Sequence, residues 1–162
     1  QHHKGQLPQA KANYEKALKL NSEDAGLYRD LGRLYTDFGD FSAARAMLDQ
    51  ALTMEPKEPL NYLYLGELLE KANDLRAAAG AYLNAHQLSP LWDKPPARLG
   101  TIYGNLDRLG GAYYYRARSL LLQDEDERAM ADFAKAIKIV GENSARGQTI
   151  KDELNNLRAR RR

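Results

Sequence analysis

Apolar side chains recur along this chain in three- and four-residue steps. Tyr28, Leu31, Leu34 and Tyr35 fall on one stripe of a helix, and Leu48, Ala51 and Leu52 resume the pattern after a break. No strand-like alternation of useful length occurs. The stripes predict nine helices, over 6–19, 25–37, 41–54, 59–71, 75–88, 96–107, 111–123, 126–139 and 145–160. In the last of these, Ile150, Leu154 and Leu157 share one stripe while Lys151, Asp152, Glu153 and Arg158 lie elsewhere. That arrangement suits a helix covering the open end of a stack.

The pattern repeats with a stride of 34 residues. Gly32, Gly66 and Gly100 each follow a leucine; Ala10, Ala44, Ala78 and Ala112 form a second series, and Ala17, Ala51, Ala85 and Ser119 a third. A fourth runs Gly5, Gly39, Asn73, Asp107, Gly141, the residue types that most readily accept a positive φ and so end helices in tight reversals. Each unit therefore reads as two antiparallel helices, closed by Pro56 and Pro90. Small residues let the two backbones approach where they cross. A second frame, displaced by 17 residues, competes after residue 100: Tyr113, Arg116, Ala117 and Leu120, then Ala129, Phe133 and Ala136. Helix 96–107 is a first helix and only Arg108 to Gly111 separates it from the next, so helix 111–123 must run antiparallel to it and is read as a second helix.

The run Tyr28-x-x-Leu31-Gly32-x-x-Tyr35, then Ala44-x-x-x-Leu48, Ala51 and Pro56, resembles a tetratricopeptide repeat. Tyr62, Leu65, Gly66, Leu69, Ala78, Tyr82, Ala85 and Pro90 repeat it. The resemblance implies an all-α solenoid of helix-turn-helix units, a right-handed superhelix of nine antiparallel helices. It divides 1–162 into a single array: a partial repeat at 1–24 with its second helix only, repeats at 25–58, 59–92 and 93–126, and a divergent repeat at 127–162 with a C-terminal capping helix. The first unit lacks its leading helix, so the chain is read as a fragment of something longer. Apolar surface left uncovered around Tyr14 and Leu18 predicts self-association through that edge.

Composition narrows the function. The 24 Lys and Arg nearly balance 22 Asp and Glu, and the formal charge of +2 becomes −2 once Arg158, Arg160, Arg161 and Arg162 are set aside. A near-neutral body gives little reason to expect nucleic-acid binding, and the arginine cluster reads as a solvated tail. The absence of cysteine removes disulfides, thiol nucleophiles and Cys-based metal sites. Leu120–Leu122 is the longest run of large aliphatic residues, far short of the roughly 20 apolar residues that span a bilayer, so no membrane insertion is expected.

Catalytic signals are sparse. His2 and His3 point about 100° apart on a helix and read as exposed; His86 reads as a half-buried structural residue. HExxH, a phosphate-cradling glycine loop and GxSxG are all missing. Asp124 to Glu127 lack the spacing of a Ca²⁺ loop, and negative charge there suits the N-terminal dipole of the following helix. No catalytic residue, metal or cofactor is assigned.

The informative surface is the one that first helices present. The resemblance implies a concave groove lined by Arg29, Arg33, Leu60, Leu63, Tyr64, Glu67, Lys94, Arg98, Thr101 and Asn105, joined by Asp30, Thr36, Asp37, Glu70, Lys71, Ala97 and Gly104. Guanidinium forks take carboxylates while Tyr and Leu offer apolar pockets, a combination suited to a protein or peptide segment. Arg29, Lys94 and Arg98 fall on the basic positions of a carboxylate clamp that some family members carry, but Arg33 and Tyr64 stand where that clamp has asparagines. Arg29→Ala with Arg98→Ala is expected to weaken an acidic partner's binding. Tyr113, Tyr114 and Tyr115 turn 100° apart and cannot all be buried, which makes one of them a candidate outer-face contact.

The reading is thus a non-catalytic interaction module. A looser resemblance joins Leu99 to Tyr103, Leu106 to Tyr115, and Asp132, Phe133 and Ala136 to the C-terminal repeat region of bacterial HExxH-type zinc metallopeptidases. That region usually has a histidine ahead of the tyrosines, absent here. This resemblance implies a client-recruiting or regulatory domain in the periplasm, with any zinc and catalytic Glu upstream of Gln1; otherwise the expected location is cytoplasmic. An RNA-binding helical repeat is a third and weaker alternative.

Overall fold

The computed structural model describes residues 3–160, with side chains from Pro8 onward. Among these residues it is all-α: α1 (His3–Leu20), α2 (Ala25–Phe38), α3 (Phe41–Met54), α4 (Pro59–Lys71), α5 (Leu75–Leu88), α6 (Lys94–Asn105), α7 (Leu109–Leu121), α8 (Asp126–Val140) and α9 (Ala145–Arg160). No helix among them is long and apolar enough to cross a membrane. The helices fall into two compact units, one ending at Leu88 and one beginning at Ser89.

In the first unit, α2 pairs with α3 and α4 with α5, while α3 and α4 touch far less. Each pairing rests on a glycine. A Cβ at Gly32 would lie 2.7 Å from Leu48 Cγ, and one at Gly66 would lie 2.6 Å from the Tyr82 ring, so only a bare Cα admits these side chains. Leu48, Tyr82, Ala44, Ala51, Ala78 and Ala85 are all fully buried. Aspartates start α2, α3 and α5: Asp24 accepts from Leu27 N, Asp40 from Ala43 N and Asp74 from Ala77 N, which satisfies amide donors that the helix itself cannot. Asn61, fully buried, donates to the Ala51 and Glu55 carbonyls and so ties α4 to the end of α3. Tyr35 Oη donates to Glu15, linking α2 to α1.

The second unit is built differently. α7 packs as extensively on α8 as on α6. Gly100 lets the α7 backbone approach, with Arg116 N 3.3 Å from where a Cβ would be, and Ala117, Ala129, Phe133 and Ala136 are fully buried. Both spacings seen in the sequence are therefore satisfied around α7. The α9 stripe packs as its pattern implies: Ile150, Leu154 and Leu157 are buried in one core with Phe133.

The turn series holds at four of its five positions. Gly39, Asn73, Asp107 and Gly141 all have positive φ. Gly5 does not terminate a helix, because α1 runs from His3 to Leu20 and includes it. A further positive φ occurs at Asp124, which sits 17 residues after Asp107 and 17 before Gly141. Helices α6 and α7 each start and end two residues earlier than the stripes suggest. Pro95 and Pro96 sit in the first turn of α6, where no amide donor is needed, and the reversal at Asp107 then frees α7 to begin at Leu109.

Candidate functional site

The first helices of the first unit, α2 and α4, lie against each other and carry the groove residues assigned there. Arg33 is exposed; its guanidinium lies over the Tyr64 ring at 5.2 Å, and Nη1 donates to Tyr64 Oη at 3.1 Å. The same neighbour raises the Arg33 pKa above its ordinary value. Lys71 Nζ pairs with Asp37 Oδ1 at 2.6 Å, one repeat away, so the two helices are joined by two polar contacts. Both ends of the Lys71–Asp37 pair are about half exposed, so it contributes at most about 1 kcal/mol. A shallow pocket of about 230 Å³ opens beside Arg33, lined by Tyr14, Asp30, Leu34 and Asp37.

The other assigned residues differ in what they offer. Arg29 keeps only 19% of its side chain exposed and lies 3.7 Å from Asp30. Leu63 is 1% exposed and Tyr64 9%, so Leu63 is core and Tyr64 is reached chiefly through Arg33. Leu60 and Glu67 are half-buried. In the second unit, Lys94, Thr101 and Asn105 are exposed along α6 and Arg98 is half-buried; the Thr101 hydroxyl donates back to Ala97 O at 3.3 Å. The structure thus brings Arg33 and Tyr64 into direct contact and leaves Thr101 bonded to its own helix.

Other sequence candidates can be placed as well. His86 is half-buried in α5, whereas His2 lies outside the described residues and the His3 side chain outside the described side chains. Among the described residues, no three His, Asp or Glu side chains gather closely enough to hold a metal ion. Glu125, in the acidic run, pairs with Arg128. None of the three consecutive tyrosines is fully buried or fully exposed. Tyr113 lies beneath both Arg116 and Lys135, Tyr114 packs on Phe133, and Tyr115 stacks on Tyr103.

Two features escaped the sequence reading. Asp132 is buried, 4% exposed, and grips Arg116; an acidic residue within the Ala129, Phe133, Ala136 stripe was the available signal. The other is the meeting of Arg146 with Tyr114 and Tyr115, residues more than thirty positions away, for which the sequence carries no local signal.

Comparison with known proteins fits this geometry. Residues 2–60 match the tetratricopeptide repeat family model. The Sol locus transcriptional repressor of Clostridium acetobutylicum is 35% identical over 63 residues, which is 39% of this chain and 20% of the repressor, so the match spans about a fifth of that relative's length. A crystal structure of MamA superposes with a TM-score of 0.69 at 20% identity, covering 96% of this chain and 86% of MamA. A thermophilic TPR protein of Thermus thermophilus gives 0.64 at 18% identity, covering 96% of this chain and 92% of that one. Repeat stride, glycine-seated helix pairs and these likenesses agree: residues 2–60 match tetratricopeptide repeats, and the described residues have the all-α helix-turn-helix fold of the structures they resemble.

Proposed function

We propose that the chain is a non-catalytic protein-interaction module that binds a peptide or protein segment on its first-helix faces. The whole chain would act as one array of repeats, from the partial unit at 1–24 to the divergent one at 127–162. The observation that supports binding most directly is the α2/α4 face, where Arg33, set by Tyr64, stands exposed beside the shallow pocket of Tyr14, Asp30 and Leu34. A guanidinium already oriented by a hydroxyl and a ring loses little rotamer freedom on meeting a carboxylate, and the neighbouring Leu34 and Tyr14 offer apolar area. Lys94 and Arg98 would add basic character along α6, taken by itself.

The test is affinity of selected ligands. Peptides chosen on the wild-type chain from a displayed random library, then synthesised, are titrated against R33E and against R45E on the exposed side of α3. The proposal expects a subset to lose about tenfold or more in R33E, a change of about 1.4 kcal/mol, and nothing in R45E. Equal affinity of every selected peptide for wild type and R33E would overturn it.

A further inference from the structure

A cleft in the second unit lies apart from the first-helix groove positions. It is lined by Tyr103 of α6, Tyr114 and Tyr115 of α7, and Arg146, Thr149 and Ile150 of α9, with a volume of about 420 Å³. Its rings are already fixed. Tyr103 and Tyr115 stack at 5.4 Å with planes 18° apart, and Tyr114 meets Tyr115 edge-on at 5.0 Å. Tyr114 Oη donates to Glu153 Oε1 at 2.9 Å, and Arg118 holds the other oxygen of that carboxylate at 3.1 Å. The Glu153 charge is therefore answered from within the unit. Gly111 leaves room at the edge: a Cβ there would stand 3.3 Å from the Tyr103 ring and 3.6 Å from Arg146 Nη2.

The charge of Arg146 is not answered in that way. Its guanidinium lies 5.9 Å from the Tyr114 ring centre, and among the described residues no carboxylate pairs with it. Arg146 is the second residue of α9, a helix with no acidic residue in its first turn, so the positive end of the helix dipole adds to the same field. A rigid aromatic surface with an exposed, unpaired cation at its edge matches a carboxylate carried next to an apolar side chain. Base stacking is less well served, because Tyr103 and Tyr115 each use one face on the other and fewer open faces remain for successive bases.

We propose that this cleft is a second docking site, taking an acidic protein segment in which an Asp or Glu pairs with Arg146 while an adjoining aliphatic or prolyl side chain lies against Tyr103, Tyr114 and Tyr115. It is independent of the α2/α4 reading. Preset rings reduce the ordering cost of binding, and the site's selectivity comes from the single cation.

The experiment selects a phage-displayed random dodecapeptide library on the full chain and on full-length R146E and R33E, each checked for wild-type helicity and melting. The expected wild-type pool contains peptides with Asp or Glu beside Leu, Ile or Pro. Synthetic versions should weaken at least tenfold in R146E and keep their affinity in R33E. A pool without such peptides, or such peptides binding R146E as well as wild type, would overturn the proposal. Loss in R33E alone would support the α2/α4 face and overturn this cleft. Decauridylate RNA retained by wild type and lost in R146E, with peptides unaffected, would assign the cleft to nucleic acid instead.

Discussion

The Asp132 carboxylate, its side chain only 5% exposed, is held by both arms of the Arg116 fork, Nε to Oδ2 at 2.5 Å and Nη2 to Oδ1 at 2.8 Å. Arg116 belongs to α7 and Asp132 to α8, so the pair crosses a helix seam, and Lys135 stands 3.7 Å from the same carboxylate. The two partners are not equivalent. Arg116 is 55% exposed and can return to water, whereas Asp132 cannot. Removing Arg116 leaves a buried charge with only Lys135, 3.7 Å away, to answer it; removing Asp132 leaves a solvated one. R116A should therefore destabilise the chain more than D132N, by about 1–2 kcal/mol against about 1 kcal/mol or less, after allowance for solvent screening. Urea titrations of both variants and of the double variant check this; a coupling energy indistinguishable from zero would rule the pair out as a tie.

Two glycines should respond in opposite directions to the same substitution. Gly66→Ala places a methyl 2.6 Å from the buried Tyr82 ring, which has nowhere to retreat, and should cost about 1–3 kcal/mol. Gly80 is exposed within α5 with nothing within 4 Å of a Cβ, so Gly80→Ala should stabilise by about 0.5–1 kcal/mol through helix propensity and a less flexible unfolded chain. Thermal melts of the two variants decide it, and melting points that shifted in the same direction would contradict this account.

Tyr114 ties stability to alkaline pH. Burial first, then the Glu153 charge and hydrogen bond, push its pKa from 10.0 up to about 12. A raised folded pKa means the folded state keeps its proton while the unfolded chain loses it. That contribution is fully present below pH 10 and declines as pH rises from 10 to about 12. Y114F removes both the group and its bond to Glu153. Chemical denaturation from pH 8 to 12 should show wild type losing more stability than Y114F across the upper part of that range; parallel curves would contradict the shift.

Leu154 anchors α9. It is 4% exposed in the core shared with Phe133, Ile137 and Ile150. Leu154→Ala should cost about 2–4 kcal/mol, set by how far the site can collapse. Hydrogen exchange should show α8 and α9 amides losing protection first, since these helices share that core; protection unchanged from wild type there would mean α9 is not held by this side chain.

Much of the fold was legible because its determinants are local and recur. The 34-residue stride placed Gly32 and Gly66 at close helix crossings, and the structure seats Leu48 and Tyr82 there. Turn chemistry located the reversals at Gly39, Asn73, Asp107 and Gly141, and it failed at Gly5, where the helix continues. The α9 stripe, read as Ile150, Leu154 and Leu157, is buried as a stripe should be. Of the groove positions, Arg33 was legible as an exposed cation, whereas the burial of Leu63 was not, because a repeat register names a helix face without saying how deeply its neighbours cover it.

By itself, then, the sequence determined the helices, most of their reversals and the residues that let paired helices approach, since all of these follow from spacings of a few residues or from one fixed stride. Tertiary structure alone decided that α7 packs equally on α6 and α8, that Asp132 meets Arg116, and that Arg146 comes to rest beside Tyr114 and Tyr115. The physical reason is that helical periodicity fixes which side chains share a stripe, whereas the rotation and approach of whole helices fix which stripes meet, and that depends on packing summed over the unit.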